Sequence, residues 1–141
     1  MATKEKATMK RRHITEVYNI LSQTTTDGLE GNNVTMMLVT TSKLRRVVEV
    51  TESLIKGIDE QRPKELKDLT ELPKDDYSKN RILLLQNKWN GQKDNAINTI
   101  IDEDVDIDTH FLEQADVLKF LEKQSGLKIT EKATLLDCLS K

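Results

Sequence analysis

The most regular hydrophobic pattern lies in the middle of the chain. Met37, Thr41, Leu44, Val48, Thr51, Ile55 and Ile58 recur at alternating steps of four and three residues. That is a heptad stripe with threonine at two positions. It predicts a long helix over residues 33–62, capped by Asn32 or Asn33 and closed by Pro63. The stretch is rich in β-branched residues, which suits strand as well. Strict alternation is absent, however, and the seven-residue repeat holds over three heptads. A second apolar series, Ile82, Leu85, Trp89, Ala96 and Ile100, predicts a helix over 77–103, capped by Asp75 or Asp76. Gln92 falls on its stripe, where a polar residue sets register at some cost in stability. Gly91 beside it marks a kink or a close helix approach. At 1.5 Å per residue each helix is about 40–45 Å long. The connector 64–76, carrying Leu66, Leu69 and Leu72, folds them back as an antiparallel hairpin over 33–103.

Shorter elements flank the pair. Ile14, Val17, Tyr18 and Leu21 mark an amphipathic helix over 13–23, broken by the threonines 24–26 and the turn dipeptide Asp27-Gly28. Residues 104–111 alternate cleanly and predict a strand with Val105 and Ile107 on one face. Val117, Leu118, Phe120 and Leu121 form a helix stopped near Ser125-Gly126. Leu127 and Ile129 read as a brief extended pair, and Thr130 caps a last helix with Leu135, Leu136 and Leu139. The expected fold is mainly α: a long antiparallel helical hairpin with short flanking helices and a minor β element near the C-terminus. The expected division is a basic N-terminal arm, 1–12, and one helical domain, 13–141. That domain comprises the hairpin 33–103 and an α/β tail 104–141.

Composition supports long solvated helices. Charged residues make up 33% of the 141 positions and aromatics only 4%. The formal net charge of −2 selects no partner class, but its distribution is uneven. Residues 1–12 carry Lys4, Lys6, Lys10, Arg11 and Arg12 against Glu5, whereas 102–116 carry seven carboxylates and no Lys or Arg. The arm reads as a frayed terminus or as a segment that docks on an acidic surface or on nucleic acid. It has no aromatic residue to stack on bases. Lys43, Arg45 and Arg46 form a second basic cluster, read as a solvated face or as a nucleic-acid patch. No run approaches a membrane span. The N-terminus lacks the apolar core of a secretory signal. The single cysteine, Cys138, excludes an intrachain disulfide.

Candidate chemistry is sparse. His13 and His110 are far apart in sequence, and no metal-protease, nucleophile-elbow or phosphate-loop pattern occurs. His13 reads as a surface residue and Cys138 as a small packing residue. The acidic stretch fails the calcium-loop test: counted from Asp104 or Asp102, the sixth position is Thr109 or Ile107, not glycine. The expectation is therefore a protein with no catalytic, cofactor or metal site. Its candidate residues are for interaction: Lys4, Lys6, Lys10, Arg11, Arg12, Lys43, Arg45, Arg46, Val47, Leu54 and Trp89. Val47 and Leu54 lie beside the main stripe, where one antiparallel partner leaves them uncovered. Trp89 is an anchor whose indole N–H needs an acceptor.

The segment Ile14-Thr15-Glu16-Val17-Tyr18-Asn19-Ile20-Leu21, with Leu127-Lys128-Ile129 and Leu135-Leu136, resembles a family of small uncharacterised tailed-phage proteins in its order of parts. The resemblance implies a phage gene product: a non-enzymatic virion or assembly protein working as a homo-oligomer or within a larger assembly. It would act in the cytoplasm of an infected bacterium, with incorporation in the virion as a further implication. The alternative is a nucleic-acid-binding or regulatory adaptor using the basic arm.

Overall fold

A computed structural model describes residues 3–140, and for residues 3–6, 109 and 110 the backbone alone. The described chain is mainly helical. Its elements are β1 (Thr3–Lys10), α1 (Arg11–Leu21), α2 (Asn32–Glu60), α3 (Lys64–Lys67), α4 (Asp76–Ile101), β2 (Asp104–Phe111), α5 (Gln114–Glu122) and α6 (Ile129–Leu139). It divides into two compact units, Met1–Val50 with Glu103–Lys141, and Thr51–Asp102.

The first unit holds the sheet. β1 pairs antiparallel with β2, from Thr3 opposite Phe111 to Lys10 opposite Asp104. The basic N-terminus is thus not an appendage. It docks on an acidic surface, and that surface is the chain's own β2. The pleat sorts the side chains. Ala7 and Met9, opposite Ile107 and Val105, turn towards the core, while Thr8 and Lys10, opposite Asp106 and Asp104, face outward. The outward pairs are complementary: Thr8 Oγ1 donates to Asp106 at 2.5 Å, and Lys10 Nζ lies 4.0 Å from Asp104.

Beneath the sheet, Ile14 and Val17 of α1, Leu44 and Val48 of α2, Phe120 of α5 and Leu135 of α6 share one buried cluster. The loop between α1 and α2 is held against α5. Gly28 has φ +88°, and a Cβ there would stand 2.6 Å from the Lys119 carbonyl oxygen. The buried Gln124 donates through Nε2 to the Thr25 and Asp27 carbonyls at 3.2 Å, and its Oε1 accepts the Thr25 N–H at 3.0 Å. The expected extended pair at Leu127 and Ile129 is absent, because Ile129 opens α6. The cap is Lys128 rather than Thr130, and Glu131 accepts the Lys128 N–H at 2.9 Å.

The heptad stripe of α2 is buried as predicted. Met37, Leu44, Val48, Thr51 and Ile58 are buried, and Thr41 and Ile55 half-buried. Its cover changes along the helix. Met37, Leu44 and Val48 belong to the core of the first unit, and Ile58 to that of the second.

In the second unit Ile58 packs with Leu66, Ile82 and Trp89. Lys93 Nζ reaches Asp59 at 2.9 Å, and Arg81 reaches Glu65 at 2.7 Å. Gln92 is exposed, and the half-buried Lys93 takes the stripe position assigned to it. The four-residue step from Trp89 keeps the stripe in phase with 3.6 residues per turn. Asp75 caps α4 by accepting the Ser78 N–H at 2.9 Å.

Candidate interaction surfaces

The basic residues of the N-terminus divide by partner. Lys4 and Lys6 lie in β1 opposite His110 and Asp108, and their side chains fall outside the described residues. Lys10 faces Asp104. Arg11 opens α1 and is anchored twice to Glu103: its N–H donates to the Glu103 carbonyl at 3.0 Å, and Nη2 lies 3.1 Å from the carboxylate. The Arg11 side chain is only 11% exposed, so this pair is partly desolvated, unlike the solvated Lys10 pair. Arg12 is exposed. The arm's described charge is therefore turned largely onto residues 103–106.

The second basic cluster lies on the outer face of α2. Arg45 pairs with Glu49 at 3.8 Å, one helical turn on. Lys43 and Arg46 line a shallow groove with Thr35, Leu38, Val39 and Ser42. Leu38 is 59% exposed, Val50 50% and Leu54 42%. Leu54 is thus uncovered as expected. Val47 is not: it is half-buried and packs on the first core. The cause is the width of the buried face. Thr40 and Val47 flank Leu44 and Thr51 of the heptad stripe on one side, and Thr40 is itself buried. α2 thus presents the wide apolar face of a globular helix rather than a narrow coiled-coil seam. Trp89 is core as well. Its edge lines a polar recess of about 410 Å³ with Asp59, Arg62, Gln86, Asn90 and Lys93.

Other apolar side chains stand in solvent. On α4, Tyr77 is 80% exposed and Leu84 71%; Leu118 of α5 and Ile129 of α6, both exposed, line a groove with Leu121 and Leu136. Among the described residues, no helix is long and apolar enough to cross a membrane.

One constellation was not legible in the sequence. His13, in the first turn of α1, places Nε2 3.1 Å from Cys138 Sγ, near the end of α6. Nδ1 of the same ring lies 3.7 Å from Glu16 Oε2. The two partners are 125 residues apart, so no local spacing signals the pair; only the packing of α1 on α6 creates it. Burial, with Asp137 and Glu16 nearby, pushes the Cys138 thiol up to about 11, so at neutral pH it is the protonated form that meets the imidazole.

No protein-family model, curated protein or solved structure matches this chain.

Proposed function

We propose that the protein is a non-enzymatic virion or assembly component of a tailed phage, acting through helix packing and protein–protein contacts. The observation that carries this reading is the apolar surface left over once both cores are filled: Leu38, Val50 and Leu54 on α2, Tyr77 and Leu84 on α4. Scattered exposed leucines are ordinary, but helices with large apolar side chains on two faces fit burial in a larger assembly. In its finer form the reading takes α2 and α4 as the antiparallel hairpin of residues 33–103. The Asp59–Lys93 pair and the Ile58–Trp89 cluster support it within the second unit. The phage assignment rests on the resemblance carried by residues 14–21, 127–129, 135 and 136. Cytoplasmic assembly, with or without retention in the particle, follows from that assignment.

Light scattering combined with circular dichroism tests the reading. Leu54→Asp and Leu84→Asp change exposed side chains, so helicity is expected to be retained while self-association or partner capture is lost. Retained helicity with unchanged assembly in both variants would count against it. The alternative, a nucleic-acid adaptor, draws on Lys43 and Arg46, the basic residues that line an exposed groove. Salt-dependent DNA binding abolished by Lys43→Glu with Arg46→Glu would favour it.

A further inference from the structure

The contact between α1 and α6 brings together a thiol, an imidazole and a carboxylate in the order nucleophile, base, orienter. Cys138 Sγ, half-buried at the edge of the first core, is 3.1 Å from His13 Nε2. Glu16 approaches the opposite nitrogen, Nδ1, at 3.7 Å. With a carboxylate on that side, the proton of the neutral ring belongs on Nδ1, and Nε2 is left to accept from the thiol. The His13 and Glu16 side chains are 41% and 57% exposed, so the pair opens to solvent. The charged groups facing the thiol are Asp137 on its own helix and Glu16 on α1. Both carboxylates oppose a free thiolate. A metal is not the natural occupant, because the carboxylate serves the ring nitrogen turned away from the sulfur.

We propose that Cys138 is a modification site for low-molecular-weight disulfides, with His13 as its general base and Glu16 as the positioning residue. In the exchange, Cys138 Sγ bonds to one sulfur of the disulfide and the S–S bond breaks. The thiol proton passes to His13 Nε2 and then to the departing thiolate. The products are a mixed disulfide on Cys138 and one small thiol, so no external oxidant is required. His13 supplies the step that the raised thiol lacks: it takes the Sγ proton, and the thiolate so formed attacks the disulfide.

The test is the rate of mixed-disulfide formation by the full chain with 5,5′-dithiobis(2-nitrobenzoate), and with glutathione disulfide read by intact mass; Cys138→Ser is the blank. At pH 7, His13→Gln is expected to slow the reaction by roughly a hundredfold, the lower edge of a general-base effect. The gap should narrow at pH 10, where hydroxide ionises the thiol directly. Glu16→Gln should slow it less. If His13→Gln reacts as fast as wild type or faster at pH 7, His13 merely shields the sulfur and the proposal fails. Should His13→Gln not fold by circular dichroism, the wild-type pH profile decides. A rate that levels off well below the thiol's own ionisation supports the proposal; a rate that climbs without inflection towards pH 11 overturns it.

Discussion

Two compact units of one chain bury apolar surface very differently. Among the described residues, the first draws fifteen buried apolar side chains from α1, α2, β2, α5, α6 and their connections into one cluster; the second, more than a third of the chain, has four. The first closes its core with elements from both ends of the sequence. The second gathers Ile58 of α2, Leu66 of α3 and Ile82 and Trp89 of α4, with ion pairs at its surface. Surface pairs contribute little each. A unit with few buried contacts opens at lower free energy than a well-packed one. The apolar residues that the second unit leaves outside are then what a partner would stabilise.

The comparison breaks most sharply at the core residues. Phe120 is fully buried in the first unit, and Phe120→Ala should cost about 3–5 kcal/mol. Denaturant melts should show that unit losing its cooperative transition. Trp89→Ala should leave the amide protection of α1, α5 and α6 in place while protection in α4 falls. Loss of protection throughout the chain would mean that the two units do not open separately.

Removal of β1 comes next. Deleting residues 1–10 strips β2 of its partner and uncovers Ile107, so the first unit should lose about 2 kcal/mol or more. An unchanged melting temperature would make the strand dispensable. Gly28→Ala should cost at least about 1–2 kcal/mol from the left-handed backbone alone, beyond the close approach of Lys119. Gly57→Ala, in helical backbone with open space around it, should be neutral or slightly stabilising. Thermal melts of both variants check the contrast.

The long elements were legible because their signals are local. The α2 stripe marks five buried and two half-buried positions, and strand 104–111 is found at the predicted bounds. Asp75 caps α4 as expected. What was not legible depends on residues about a hundred positions apart. β1 reads Thr-Lys-Glu-Lys-Ala-Thr-Met-Lys, a poor strand by propensity; it becomes one because β2 offers an opposite charge pattern and an apolar face in register. Val47 looked like surface because a heptad stripe is narrower than the face that α2 buries. Cys138 and His13 had no shared motif. Leu54, exposed on α2, is the candidate interaction residue whose placement follows from the pattern alone.

The smallest effect concerns pH. The hydrogen bonds from Ser78 hold the Asp75 carboxyl below its ordinary value of 3.8. A carboxylate lowered in the folded state contributes stability that is present above the ordinary value and lost as pH falls through the folded one. Exchange of the Ser78 amide should therefore accelerate as pH drops below about 3.8, relative to an unstructured reference. Asp75→Asn should keep the cap and remove this pH dependence. Equal acid sensitivity in the variant would assign the fraying to another group.

The account rests above all on the apolar surface that the two cores leave uncovered. Multi-angle light scattering on the full chain, over a hundredfold range of concentration and beside Leu54→Asp, tests it most directly. The predicted result is a wild type whose mass rises with concentration, or that co-purifies with a stoichiometric protein partner from its native source, and a Leu54→Asp variant of equal helicity that does neither. A wild type that stays monomeric throughout and recovers no partner would contradict the assembly reading, leaving the exposed leucines as ordinary surface residues.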